Sequence, residues 1–81
     1  MPLVRTQKYR EMLARLRAAR KEAGLKQAEV GRKLGKPQSY VSKVETGERR
    51  IDPVELLQFA ELYGREVTWF LDAGARGMEG S

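Results

Sequence analysis

Four polar side chains lie close together between residues 38 and 43, where the sequence favours a short helix. They are Gln38, Ser39, Ser42 and Lys43. Positions three and four apart are neighbours on a helix surface, so these side chains share one face. An amide pairs with adenine N6 and N7, an ammonium group donates to guanine O6 and N7, and a hydroxyl group bonds a base or a phosphate. A helix face with side chains of these types has the chemistry to bond base edges or phosphates.

The same sequence lacks the residues on which most catalytic and metal sites depend. Its 81 residues include neither cysteine nor histidine, which excludes zinc fingers, cysteine nucleophiles and histidine-based triads. The hydroxyl groups of the chain therefore have no imidazole to activate them, and the sequence contains no G-x-x-x-x-G-K-[ST] phosphate loop. We expect no enzymatic activity, no metal, no cofactor and no small-molecule substrate.

Charge is distributed unevenly along the chain. Residues 1–50 carry fourteen lysines and arginines against five glutamates, whereas residues 51–81 carry two arginines against six acidic residues. A basic half favours a polyanionic partner, with nucleic acid as the first candidate and an anionic membrane surface as the second. The sequence has no apolar run near the roughly 20 residues that span a bilayer, and no signal-peptide core. We therefore expect a cytoplasmic protein that does not enter the membrane.

Glycine and proline divide the chain into five segments whose apolar residues recur at helical spacing. Asp52, Pro53 and Glu55 give the clearest start signal, since they match an N-cap, a first helical residue and a capping box. The predicted helices span about residues 7–23, 26–34, 37–46, 53–63 and 68–71. We expect one all-α domain over residues 1–72, followed by a flexible, Gly-rich tail over residues 73–81.

Two short helices joined by a glycine-containing turn and preceded by a longer helix form the pattern of a helix-turn-helix. Small, β-branched and polar residues stand where this motif needs them: Gln27, Gly31, Gly35, Val41, Val44, Glu45 and Gly47. With the run GKPQSYVSKVETGER, the stretch from Leu16 to Leu71 resembles the Xre/Cro-type helix-turn-helix family. That family includes lambdoid phage repressors, restriction–modification controller proteins and antitoxins. The resemblance implies a five-helix, lambda-repressor-like DNA-binding domain.

The resemblance also implies roles for single residues. The base-contacting positions of the family correspond to Gln38, Ser39, Ser42 and Lys43. Its phosphate-contacting positions, together with the basic residues of the turn and loop, lead us to expect phosphate contacts from Gln27, Lys36, Tyr40, Arg49, Arg50 and Arg20. The alternative for Tyr40 is that it packs against a thymine methyl group or a sugar, or covers the turn between the helices. The alternative for Arg49 and Arg50 is that they form a solvated run of charges. Arg20 and Glu45 correspond to a structural pair that locks the third helix against the first.

Two positions depart from the family pattern. Gly31 stands where alanine is common, which costs up to about 1 kcal/mol of helix propensity but allows a closer approach between helices. Lys26 stands where many members have a serine or threonine, so the second helix lacks its side-chain N-cap. Both departures concern stability more than the residues that face DNA.

The resemblance implies a sequence-specific transcriptional regulator, most simply a repressor that binds a palindromic operator as a homodimer, with its third helix in the major groove. The last predicted helix supplies the expected dimer surface at Trp69, Phe70 and Leu71, and the alternative for these side chains is that they fill the core. The second hypothesis is a protein-interaction module or antitoxin whose helix-turn-helix domain mainly binds a partner protein. A protein-binding version would tend to have a more apolar third helix than this chain has.

Overall fold

Five α-helices make up the computed structural model, which describes residues 6–71. They are α1 (Gln7–Glu22), α2 (Gln27–Leu34), α3 (Gln38–Thr46), α4 (Pro53–Tyr63) and α5 (Val67–Leu71). The predicted all-α fold is confirmed, and each boundary lies within one residue of its prediction. The predicted tail at residues 73–81 lies outside the described residues. None of the five helices has the length and apolar character needed to cross a membrane.

Capping residues in the sequence specify the start of α4 fully and the start of α2 in part. The Asp52 carboxylate accepts a hydrogen bond from the Glu55 N–H at 2.8 Å, and the Glu55 carboxylate accepts one from the Asp52 N–H at 3.0 Å. At α2 the ammonium group of Lys26 cannot accept a bond, but the Glu29 carboxylate accepts one from the Lys26 N–H at 2.8 Å. The start of α2 therefore keeps one of the two bonds of a capping box.

One cluster of buried apolar side chains holds the helices together. Every helix contributes at least one side chain with almost no exposed surface: Leu16, Val30, Val41, Val44, Phe59 and Phe70. α1 contacts α3, α4 and α5, whereas α2 packs mainly against α3. Burial of apolar surface is the main stabilising term in so small a domain. Because α1 contacts three of the other four helices, it serves as the scaffold against which α3 packs.

Two glycines make the turn between α2 and α3 tight. Gly35 takes a φ of +71°, which residues with a side chain rarely adopt. The Lys36 N–H then donates to the Gly31 carbonyl at 2.8 Å. A Cβ atom at Gly31 would lie 2.6 Å from the Lys36 carbonyl oxygen, which is closer than two non-bonded atoms approach. The absence of a side chain at Gly31 therefore allows the chain after α2 to cross directly over that helix.

A Gly31→Ala variant tests this close approach. In an open helix position the change would stabilise the helix by up to about 1 kcal/mol. Here we expect the free energy of unfolding to fall by about 1–3 kcal/mol, because the new methyl group must displace the backbone of the turn. Urea unfolding followed by circular dichroism measures the difference. Ala28→Gly, on the exposed side of the same helix, reports helix propensity alone; a Gly31→Ala variant as stable as the wild type would contradict the close approach.

Candidate nucleic-acid interface

α3 presents a polar face to solvent and an apolar face to the core. The four predicted base-contacting residues lie on the outer side, where one is half-buried, Ser42, and three are exposed, Gln38, Ser39 and Lys43. Val41 and Val44 lie on the inner side and have no exposed surface. The core thus holds the backbone of α3 in place while its polar side chains remain accessible.

A salt bridge between α1 and the end of α3 fixes the orientation of α3. Arg20 Nε donates to Glu45 Oε2 at 2.7 Å, and Arg20 Nη2 donates to Glu45 Oε1 at 3.2 Å. The two side chains are 11% and 3% exposed, and the hydrogen bond to Glu45 raises the pKa of Arg20 against the opposing effect of burial. Arg20 Nη1 also donates to the Leu25 carbonyl at 3.0 Å. The structure thus brings together the pair that the resemblance implies, and it leaves Arg20 little surface for a phosphate contact.

The Glu45 carboxylate also orients the amide of Gln27 at the start of α2. An ionised carboxylate only accepts hydrogen bonds, so Gln27 must present its amino group, and Nε2 lies 3.0 Å from Glu45 Oε1. The Gln27 oxygen therefore faces the other way, where it accepts a bond from Gln38 Nε2 at 3.3 Å. A chain of hydrogen bonds thus runs from Arg20 to the first residue of α3 and sets the orientation of the Gln38 amide.

A second arginine of α1 also reaches the end of α3. Arg17 Nη1 donates to the Glu45 carbonyl oxygen at 2.9 Å. No motif in the sequence assigns a role to Arg17, although its position one helical turn before Arg20 puts the two arginines on neighbouring parts of the α1 surface. A cation at the C-terminal end of a helix interacts favourably with the helix dipole. Arg17 therefore stabilises the end of α3 independently of the salt bridge.

Tyr40 lies in the core beneath the turn between α2 and α3. Its ring stacks on that of Phe59 with 6.1 Å between centroids, and only 8% of the residue is exposed. Two cations lie near the same ring: Lys36 Nζ is 5.3 Å and Arg49 Cζ is 4.8 Å from its centroid. The ring supports these two cations, and its burial leaves little surface for the phosphate contact expected of Tyr40.

The two arginines that follow α3 are exposed but held in place. Arg49 Nη1 and Nη2 donate to the two carboxylate oxygens of Glu55, each at 3.0 Å. This pairing lowers the pKa of Glu55, although burial acts in the opposite direction. Arg50 Cζ lies 4.8 Å from the ring centroid of Tyr9. A guanidinium group has five N–H donors, so both arginines retain donors for a further acceptor.

Comparison with known proteins identifies the family and the fold. The model of the helix-turn-helix family HTH_3 matches residues 16–70. The chain belongs to this helix-turn-helix family. The solved structure of an XRE-family like protein from Pseudomonas syringae pv. tomato str. DC3000 is similar, with a TM-score of 0.78, 38% sequence identity and coverage of 88% of both chains; no curated protein matches. The Xre-type resemblance is thereby confirmed, and this helix-turn-helix protein is a DNA-binding regulator.

The three residues predicted to form a dimer surface of the helix-turn-helix protein lie in different environments. Phe70 is 1% exposed and belongs to the core, so its assignment to a dimer surface is corrected: α5 packs against α1 and α4, which cover this side chain. Trp69 is half-buried, with Arg15 Cζ and Arg65 Cζ at 5.0 and 4.1 Å from its ring centroid. Leu71 alone of the three has a large exposed apolar surface, at 53%.

Removal of the charge on Glu45 should destabilise the helix-turn-helix protein strongly. In a Glu45→Gln variant Arg20 would remain almost buried without a counter-ion, and we expect a loss of about 3 kcal/mol in the free energy of unfolding. Glu55→Gln is the matched control, because glutamine preserves a capping box and an ion pair with the exposed Arg49 contributes little to stability. Urea unfolding of both variants measures the difference. Equal losses in the two variants would contradict a central role for Glu45.

Tyr63 makes the stability of the protein sensitive to alkali. Its hydroxyl group is buried without a hydrogen-bond partner among residues 6–71. Burial raises the pKa of Tyr63, with Glu45 adding to the effect and Arg20 opposing it. Below about pH 10 the tyrosine is neutral in the folded and the unfolded chain alike. Above that pH the unfolded chain loses the proton first, so the folded state loses stability as pH rises.

A Tyr63→Phe variant should therefore resist alkali better than the wild type. At pH 7 we expect its free energy of unfolding to equal or exceed that of the wild type by up to about 1 kcal/mol, since no hydrogen bond is lost. By pH 11 the advantage should grow by about 1 kcal/mol. Denaturant unfolding at several pH values measures both quantities, and the other titrating groups cancel in the comparison. A loss of stability at pH 7 would show that the hydroxyl group is hydrogen-bonded after all.

Proposed function

We propose that the protein is a transcriptional repressor that binds a palindromic operator as a homodimer, with α3 in the major groove of each half-site. The observation that carries this proposal is the Gln38 amide, which lies exposed on α3 and is oriented by Gln27. A side chain that distinguishes bases must be accessible and must be held in a defined geometry by its neighbours. Gln38 meets both conditions.

The orientation of Gln38 favours adenine. Adenine offers an N6 donor and an N7 acceptor in the major groove, so a glutamine must present its oxygen and its amino group together. One Nε2 hydrogen of Gln38 is directed at Gln27, and the second hydrogen and Oε1 remain for the base. Guanine offers two acceptors at O6 and N7, which suits the ammonium group of Lys43 on the same face of α3.

Contacts with phosphates would position α3 without reading sequence. Lys36 precedes α3 and Arg49 and Arg50 follow it, and all three are exposed. An aromatic ring carries no net charge, so the contacts of Lys36 with Tyr40 and of Arg50 with Tyr9 orient these cations without neutralising them. Arg49 shares its charge with Glu55. We therefore expect Lys36 and Arg50 to contribute more than Arg49 to phosphate binding.

An apolar groove between α1, α4 and α5 supports the homodimer. It has a volume of about 230 Å³ and is lined mainly by apolar side chains: Tyr9, Met12, Ile51, Pro53, Leu56, Val67 and Leu71. Among the described residues, the exposed large apolar side chains are Leu71, Val54 and Leu57. Dimerisation would remove such surface from water. Two copies whose α3 helices lie roughly 34 Å apart would contact two half-sites in successive major grooves.

Selection of the protein against a random duplex library at near-physiological salt tests the proposal. We expect enrichment of a two-fold symmetric site whose half-site centres are separated by about one helical turn of DNA. Enrichment of a single half-site would contradict the homodimer, and retention without enrichment would contradict sequence-specific reading. If no duplex is retained, the protein-interaction module becomes the better account.

Variants at Gln38, Lys43 and Arg50 separate base reading from phosphate binding. Gln38→Ala and Lys43→Ala should each lose about 1–3 kcal/mol of binding free energy at the enriched site and relax the preference at one base pair. Arg50→Ala should weaken binding to all duplexes alike and reduce the salt dependence of log K by about 0.9. Fluorescence anisotropy titrations over a range of salt concentrations measure these effects. A sequence-independent loss of the same size in all three variants would contradict the placement of α3 in the major groove.

A further inference from the structure

α1 and the end of α3 line a small cavity that is open to solvent and has basic residues in its wall. The cavity has a volume of about 180 Å³ and is lined by Arg10, Leu13, Arg17, Glu45 and Thr46. Arg10 and Arg17 of α1 and Thr46 of α3 are exposed. Thr46 lies one helical turn after Ser42 and Lys43, at the end of the face proposed to read bases. The cavity therefore borders the C-terminal end of that face.

The wall of this cavity retains positive charge. Among the described residues that line it, the acidic one is Glu45, whose carboxylate is already bonded to Arg20 and Gln27. Arg17 donates one N–H to the Glu45 carbonyl oxygen at 2.9 Å and belongs to none of the three ion pairs within residues 6–71. Its guanidinium group has five donors, so most of them remain for an acceptor that enters the cavity. An anion with several oxygens matches these donors.

We propose that Arg17 binds a phosphate group of the DNA backbone at the C-terminal end of α3. This inference rests on the proposed function, since phosphates reach the cavity only if α3 lies in the groove that they border. The C-terminal carbonyl groups of a helix disfavour an anion, and the bond from Arg17 to the Glu45 carbonyl offsets that effect. The same bond positions the guanidinium group before DNA arrives. α1 thereby forms part of the DNA interface as well as the scaffold.

Salt-dependent binding of an Arg17→Gln variant tests the inference. We expect roughly tenfold weaker binding to the enriched operator and to unrelated duplexes alike, and a salt dependence of log K that is smaller by about 0.9. Lys8→Gln is the control, because it makes the same change in charge on another side of α1 and should leave the salt dependence unchanged. A merely structural role for Arg17 would lower the melting temperature or the affinity without changing the salt dependence, and that result would overturn the inference.

Neutral methylphosphonate groups, placed one at a time along the operator backbone, identify the phosphate itself. At one position in each half-site, the substitution should weaken binding of the wild-type protein about as much as Arg17→Gln does and should have no further effect on that variant. Additive losses at every position, together with sequence-specific binding by the wild type, would overturn the inference and leave the proposed function intact. Failure of the wild type to bind any duplex would instead refute the proposed function, and the inference with it.

Discussion

The salt bridge between Arg20 and Glu45 is the interaction on which the rest of the structure depends. It joins α1 to the end of α3, and through the Leu25 carbonyl and the Gln27 amide it also fixes the connection to α2 and the start of α2. An almost buried ion pair is no more stabilising than well-packed apolar side chains would be. Its contribution here is orientation, since both partners have directional bonds that an apolar contact lacks. α3 is thereby held at one angle, and the first amide on α3 in one orientation.

Aromatic rings contact five cationic side chains among the described residues. Tyr40 contacts Lys36 and Arg49, Tyr9 contacts Arg50, and Trp69 contacts Arg15 and Arg65. Arg49 and Arg65 are also paired with carboxylates, Glu55 and Glu22. Within residues 6–71 the other three cations are in no ion pair, and a carboxylate beside them would cancel the charge that a polyanion requires. A ring fixes the position at a smaller electrostatic cost. The rings of Tyr40 and Tyr9 therefore connect the apolar core to the proposed phosphate-binding surface.

Local signals in the sequence predicted the helices well, because each helix start or end depends on residues only a few positions apart. The capping box of Asp52 and Glu55 and the glycine after α2 are examples. The burial of Phe70 was not predictable in this way, since a helix of five residues is too short to show a periodic pattern. Tyr40 was ambiguous because an amphipathic ring suits both core and surface.

The candidate site was predictable where the family pattern covers it and not beyond. The pairing of Arg20 with Glu45 followed from the resemblance, but the amide orientation of Gln27 did not, because it depends on which group each end of that amide meets in the fold. The contact of Arg17 with Glu45 joins residues 28 positions apart. No spacing rule links such positions, so only the packing of α1 against α3 revealed it.

The most direct test of this account is the base preference of a Gln27→Ala variant. Anisotropy titrations would compare it with the wild type on the enriched operator and on operators changed at the base pairs assigned to Gln38 and Lys43. If Gln27 orients Gln38, the variant should lose several-fold discrimination at the Gln38 base pair and keep it at the Lys43 base pair. Equal weakening on every operator, with both preferences intact, would mean that Gln27 only binds a phosphate and would contradict the orienting chain.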